Sequence, residues 1–362
     1  MKTEMTSKER VLTALSHKNT DRIPMDIGSV NEPVKKNLKE YLKLQSINDV
    51  NAFLESYSDF RGANPEYIGP KDRCCTIEGG KSIDIWKVVR EPVSYGEGCY
   101  DEICRYPLSG MNDAAELDQY EWPSAEWWDA THIKEYIKGI NKTNEYAIVT
   151  ANGNIFERSW YMRGFEQMLV DLIDNQELAW EIMKRVTDYF IGHLRNILEH
   201  ANGLVDIVVT ADDLGGQENL IMSLDLWEKM LKPHHVRLNK VLHEYGVKIM
   251  YHSCGAIMSI VPELIDMGID ILQPLQFDAK GMDSTRLKNE YGEKLCFYGG
   301  LSVQKTLPLG SVSDVRNEVL DHIRVLGKNG GYILAPSHAI QAGTPPENVI
   351  AFLDTGRNHK II

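Results

Sequence analysis

Eight short apolar runs, separated by stretches with helical spacing, constrain this chain more than any other feature. They fall at 23–28, 57–61, 147–151, 206–211, 247–252, 269–273, 295–298 and 331–335. Strand-length runs alternating with helical patterns are what a (β/α)8 TIM barrel of class α/β demands. The intervening segments agree. Ser223 precedes Leu224-Asp225-Leu226-Trp227 as a helix cap with an acid in the first turn. Val312-Ser313-Asp314-Val315 opens a second helix after a Pro-Leu-Gly turn.

One region breaks the rhythm. Residues 67–109 are rich in Gly pairs, β-branched residues and aromatics, with Glu78-Gly79-Gly80 and Tyr95-Gly96-Glu97-Gly98 placed as hairpin turns. They read as an antiparallel β insertion after the second strand, inside one domain spanning 1–362. It is either a cover for the barrel mouth or an oligomer contact, and a homodimer is compatible with the second alternative.

Composition narrows the partners. With 39 basic against 52 acidic residues the formal charge is -13, which argues against nucleic acid and anionic membranes and favours small molecules or proteins. No run reaches the roughly 18 apolar residues of a membrane helix, and the amino terminus lacks a signal-peptide core. A soluble, cytoplasmic protein is expected. Six cysteines in 362 residues are too sparse for a disulfide scaffold, so reduced thiols are the default.

Function in a barrel gathers where the strands end. The fifth run ends in His252-Ser253-Cys254-Gly255, and side chains two apart on a strand share a face. Alone, the tripeptide also fits a strand end with one hydrogen-bonded His and one small buried Cys. His338, after the last run, can complete a His252, Cys254, His338 set for Zn2+ with its fourth position open, as in catalytic zinc; a loop histidine that caps backbone is the bland alternative. Asp212 and Asp213, after the fourth run, read either as a helix cap and first-turn acid or as catalytic carboxylates that orient a ligand or protonate a leaving group.

The chain resembles the uroporphyrinogen decarboxylase superfamily and, within it, the corrinoid-dependent methyltransferases. The matching pieces are Glu9-Arg10-Val11-Leu12 with Asp21-Arg22-Ile23-Pro24, Phe156-Glu157-Arg158-Ser159-Trp160-Tyr161-Met162-Arg163-Gly164, Asp212-Asp213-Leu214-Gly215, His252-Ser253-Cys254-Gly255, Tyr298-Gly299-Gly300-Leu301 and Gly343-Thr344-Pro345-Pro346-Glu347-Asn348. Two departures bear on the branch. Where the decarboxylases carry an Arg-rich loop after the first strand, this chain has Met25-Asp26-Ile27-Gly28, which loses the charge-assisted pairing a polyacidic porphyrinogen needs. The thiol-methylating enzymes of the branch carry a cysteine as third zinc ligand, and the corresponding position here is His338.

The resemblance implies methyl transfer between a small substrate and the cobalt of a cobalamin-binding corrinoid protein. Imidazole in place of thiolate makes zinc a stronger Lewis acid, which favours an oxygen leaving group and anaerobic O-demethylation. Asn152, Glu157 and Gln217 are further candidates for substrate contacts, and Trp160, Tyr161 and Tyr298 for an aromatic sandwich around the methyl donor. The alternatives are uroporphyrinogen decarboxylation and a noncatalytic barrel that binds a corrinoid or tetrapyrrole.

Overall fold

The computed structural model describes residues 4–95 and 98–360, apart from the side chains of Tyr95 and Asn152. In chain order its strands are β1 (Phe60–Gly62), β2 (Glu66–Tyr67), β3 (Cys75–Thr76), β4 (Ser82–Ile83), β5 (Val89–Tyr95), β6 (Gly98–Arg105), β7 (Trp128–Asp129), β8 (Ala147–Asn154), β9 (Ile207–Ala211), β10 (Lys248–His252), β11 (Ile271–Leu275), β12 (Cys296–Leu301) and β13 (Tyr332–Pro336). The central sheet has seven parallel strands in the order β1-β8-β9-β10-β11-β12-β13. Helices fill the connections, as the alternating pattern requires.

Alternation along these strands separates two apolar sets. Phe60, Val149, Val209, Met250, Ile271 and Ile333 form an inner cluster with Val11 and Leu15 of the first helix, Ser7–Leu15. Their neighbours Ile148, Val208, Ile249, Leu272, Phe297 and Leu334 belong to the larger cluster that includes the helices. Each fully buried Ile, Leu or Phe contributes roughly 1.5–3 kcal/mol. A one-residue slip, which would exchange the two sets, is therefore strongly opposed.

The first apolar run departs from the expected strand. Met25 makes a single parallel bridge to Leu334, with the Asp26 N–H donating to the Leu334 carbonyl at 3.0 Å and the Leu334 N–H to the Pro24 carbonyl at 2.9 Å. On the other side the Asp59 N–H donates to the Met25 carbonyl at 2.9 Å. The Met25 N–H answers by donating to Asp59 Oδ2 at 2.8 Å. Pro24 offers no N–H and Gly28 turns the chain at φ 61°, so this pairing extends in neither direction. Seven strands and a bridging segment stand where eight strands were expected.

Asp59 also anchors a buried charge cluster. Its carboxylate accepts from Arg10 Nη1 at 2.8 Å and from both Nη atoms of Arg22, each at 2.8 Å, while Arg10 Nε donates to Asp21 at 2.7 Å. All three of Arg10, Arg22 and Asp59 are buried. Because Asp59 directly precedes β1, this cluster lies at the amino-terminal face of the sheet.

Between β1 and β8 the chain leaves the central sheet. Strands β3 to β6 build a four-stranded antiparallel sheet, and β2 pairs antiparallel with β7. The turn expected at Glu78-Gly79-Gly80 separates β3 from β4, with φ 76° at Gly79 and 73° at Gly80. Residues 96 and 97 of the other expected turn lie outside the described residues. The extra sheet reaches the carboxyl-terminal face: Arg158 Nη1 donates to Asp84 Oδ2 at 3.3 Å, the Tyr100 hydroxyl to Gln341 Oε1 at 3.2 Å, and the Arg90 guanidinium lies 5.1 Å from the centre of the Tyr161 ring.

Ser223 caps the helix Leu224–Met230 by accepting from the Leu226 N–H. Ser311 and Asp314 form a capping box on Val312–Leu326. Among the described residues no helix is long and apolar enough to cross a membrane.

Candidate metal centre

His252 is the last residue of β10, in register with Ala211 on one side and Gln273 on the other. The three residues that follow are held by backbone and short side chains. Ser253 is fully buried; its hydroxyl accepts from the Leu214 N–H at 3.1 Å and its own N–H donates to the Gln273 carbonyl at 2.7 Å. The Cys254 N–H donates to Asp213 Oδ1 at 2.9 Å. Gly255 has φ 90°, and a Cβ there would stand 2.2 Å from the Gly215 carbonyl oxygen. Only glycine lets the loops after β9 and β10 meet this closely.

The third residue arrives on the loop after β13. The Ser337 N–H donates to the Leu301 carbonyl at 2.8 Å, and the Ile340 N–H to the Ser29 carbonyl at 2.9 Å, which fixes His338 between them. One ligand atom each from His252, Cys254 and His338 lies within 4.8 Å of the other two. Cys254 Sγ is 3.6 Å from His252 Nε2. A tetrahedral zinc with ordinary Zn–N and Zn–S bonds spaces its ligands by about 3.3–3.7 Å, so the donor set fits that ion with modest side-chain adjustment.

Electrostatics around the trio favour a cation. Burial pushes the Cys254 thiol well above its ordinary range, and the charges of Asp213 and Glu157 push it further. A cation among the donors reverses that balance, since metals take the thiolate. Desolvation, then the His252 ring, lowers the pKa of His338 against the pull of Asp213, which keeps the imidazole in the neutral form that ligates metals. Asp213 Oδ1 lies 3.5 Å from His252 Nε2. That carboxylate thus touches both the His252 ring and the Cys254 backbone.

Its neighbour does something else. Asp212 is fully buried and accepts from the Phe156 N–H at 2.8 Å and the Glu157 N–H at 2.7 Å, with His235 Nε2 at 2.6 Å. It caps the first turn of the helix Ile155–Arg163, and the site is left to Asp213. His235 gave no sequence signal.

The remaining candidates are dispersed. Glu157 accepts from Asn154 Nδ2 and the Tyr161 hydroxyl. Trp160 and Tyr161 line a cleft with Arg90 and Tyr106, whereas Tyr298 is buried in the inner cluster; the three aromatics enclose no common space. Gln217 is on the exposed loop after β9, its carbonyl accepting from the Lys280 N–H at 2.9 Å. The Asn152 side chain lies outside the described residues.

A cavity of about 520 Å³ opens into the sheet interior, lined by Asp26, Ser58, Arg61, Met250, Gln273 and Tyr298 among others. Met250 lies two residues before His252 and faces the same way, so the cavity adjoins the cluster. Asp26 accepts from the Ser58 hydroxyl at 2.8 Å and from the Tyr298 hydroxyl at 2.8 Å. Gln273 Oε1 is buried without a hydrogen-bond partner, as if awaiting a donor from a guest. A polar residue closing the apolar run 269–273 was the available sign of Gln273.

A curled parallel α/β sheet with a nitrogen, sulfur, nitrogen donor set at its carboxyl-terminal face defines the class of protein. The family model described as uroporphyrinogen decarboxylase (URO-D) matches residues 93–359, and the chain belongs to that family. It is 26% identical over 201 residues to the methylcobamide:CoM methyltransferase MtaA of Methanosarcina barkeri, a match over 53% of this chain and 55% of the relative. It is 27% identical over 157 residues to a uroporphyrinogen decarboxylase of Microcystis aeruginosa, over 40% of this chain and 42% of that one. These matches span about half the length of the curated relatives or less. In fold, a methyltransferase from Methanosarcina mazei is similar over 98% of this chain and 99% of its own, with a TM-score of 0.66 at 19% identity.

Proposed function

We propose that this protein is a zinc-dependent methyltransferase that moves a methyl group between a small methoxylated substrate and the cobalt of a corrinoid protein. The observation that carries the proposal is the convergence of His252, Cys254 and His338 beside a cavity of small-molecule size, in a chain of this family. The sheet acts as a closed barrel whose eighth position is the bridging segment 23–28. Zinc, when bound, supplies a Lewis acid that polarises the oxygen carrying the methyl group.

The chain's own groups then have separable tasks. One thiolate and two neutral imidazoles leave a bound divalent ion with a net positive charge, suited to an oxygen leaving group more than to a thiol. Asp213, half exposed, orients His252 and Cys254 and stands where it can relay a proton taken from solvent to the departing oxygen. Asp26, Ser58, Gln273 and Tyr298 offer hydrogen bonds to the rest of the substrate. The antiparallel sheet, reaching Arg158 on one side and Gln341 on the other, limits water access.

Porphyrinogen decarboxylation is the second reading, favoured by the match to the Microcystis enzyme. Against it stand Asp26 and Glu55 in the cavity wall, which offset the cations Lys35 and Arg61 that an octa-acid substrate calls for. The test supplies cob(I)alamin with methoxylated substrates and follows methylcobalamin by absorbance, beside carbon dioxide release from uroporphyrinogen. Methylcobalamin formation that disappears in His252→Ala supports methyl transfer; carbon dioxide release that survives it establishes the decarboxylase.

A further inference from the structure

A second hollow, of about 300 Å³, lies beside the same face of the sheet. Its floor is aromatic: Trp86, Tyr189, Phe190 and His193 are buried, and Trp128 is half-buried. Tyr189 stacks on His193 with centroids 5.7 Å apart and planes 9° apart, and Trp128 meets His193 edge-on at 5.2 Å. Its rim is exposed at Asn64, Cys74 and Ala151. Packing voids are far smaller than this, and a hollow with a wet rim and an aromatic floor is a place for a guest.

One buried ring nitrogen in its lining has no partner. His193 is 5% exposed and its Nδ1 has no hydrogen-bond partner; burial holds its pKa down to about 4, so the ring is neutral and can donate or accept. The Tyr189 hydroxyl accepts from Trp128 Nε1 at 2.8 Å. Asp84 takes both Arg90 at 2.9 Å and Arg158 at 3.3 Å. Of these only Asp84 and Arg158 line the hollow, and their charges cancel, so the wall suits a neutral phenol or ether.

Position sets the hollow apart from the metal centre. Ala151 on β8 pairs with Val209 on β9, which pairs with Met250 on β10. Two strand spacings, about 10 Å, therefore separate Ala151 from the strand that ends in His252.

We propose that this hollow is a binding site for a planar aromatic ring bearing a hydroxyl or ether oxygen, with the ring against Trp86, Trp128 and Tyr189 and the oxygen bonded to His193. About 10 Å from the strand that ends in His252, it is a site apart from the cavity in which the methyl-bearing oxygen would meet the metal.

Isothermal titration with 2-methoxyphenol tests this. Saturable binding is expected, at least tenfold tighter than that of cyclohexanol. His193→Phe should weaken it about fivefold and Trp128→Leu about tenfold. Ala151→Leu, at the exposed rim, should weaken it without disturbing the core, and serves if either buried variant fails to fold. Absence of saturable binding, or equal binding by cyclohexanol or by the folded variants, overturns the proposal.

Discussion

Two polar clusters sit at opposite faces of the central sheet, and they are built on opposite principles. At the amino-terminal face the carboxylate is saturated by short bonds: Asp59 holds Arg10, Arg22 and the Met25 N–H, all at 2.8 Å, with Arg22 Nε alone left unpartnered among its donors. At the carboxyl-terminal face the side chains converge more loosely, with Cys254 Sγ and Asp213 Oδ1 standing 3.6 and 3.5 Å from His252 Nε2. A protonated thiol, two imidazoles and a carboxylate gather around a common point, above an amide oxygen with no partner. Short, saturating bonds mark the cluster that holds the fold, and loose convergence of donors marks the one proposed to take a metal.

The largest expected effect breaks the lower cluster. Asp59→Ala leaves two buried guanidiniums facing each other and frees the bridging segment. Urea denaturation should register a loss of about 3–5 kcal/mol, with zinc still bound by the molecules that remain folded. A loss under about 1 kcal/mol would mean that the seam between β13 and β1 is held by something else.

Next come the adjacent carboxylates, which sharpen the contrast within four atoms of backbone. Asp212→Asn should cost about 1–3 kcal/mol of stability, because the helix Ile155–Arg163 loses its charged cap and His235 its partner, with zinc content unchanged. Asp213→Asn should do the reverse, weakening zinc about 10–100-fold in a competition with a chromophoric chelator while the melting temperature hardly moves. Equal behaviour of the two variants would erase the distinction between holding and serving.

The smallest effect is a pH slope from imidazoles buried without charge partners. Burial holds His193 and His234 each down to about 4, whereas in the unfolded chain both titrate near 6.5. The unfolded state therefore binds more protons in between, and stability falls as pH drops from about 6.5 to about 4, then levels off for these groups. His193→Phe should flatten that slope by no more than about 3 kcal/mol over the window, measured by denaturation at stepped pH. An unchanged slope would say that His193 is hydrated in the folded protein.

Much of the frame could be read in the sequence because period and length suffice for buried parallel strands. Seven of the eight apolar runs became strands, with ends shifted by a few residues. The run 23–28 did not, since Pro24 and Gly28 interrupt its ladder from either side. His252 and Cys254 were legible from spacing on a strand end, and His338 from its place in the last loop. Asp212 and Asp213 were not separable, because neighbouring side chains differ only in which face of the backbone they leave. The hollow floored by Trp86 and His193 was invisible, its walls being drawn from residues more than 100 positions apart.

The central claim is a metal centre at His252, Cys254 and His338, and elemental analysis of protein purified without added metal tests it most directly. About one zinc per chain is expected, lost in His252→Ala and in Cys254→Ala while both variants stay folded. Metal-free protein in which Cys254 reacts freely with a thiol reagent, or zinc that persists in both variants, would contradict the account.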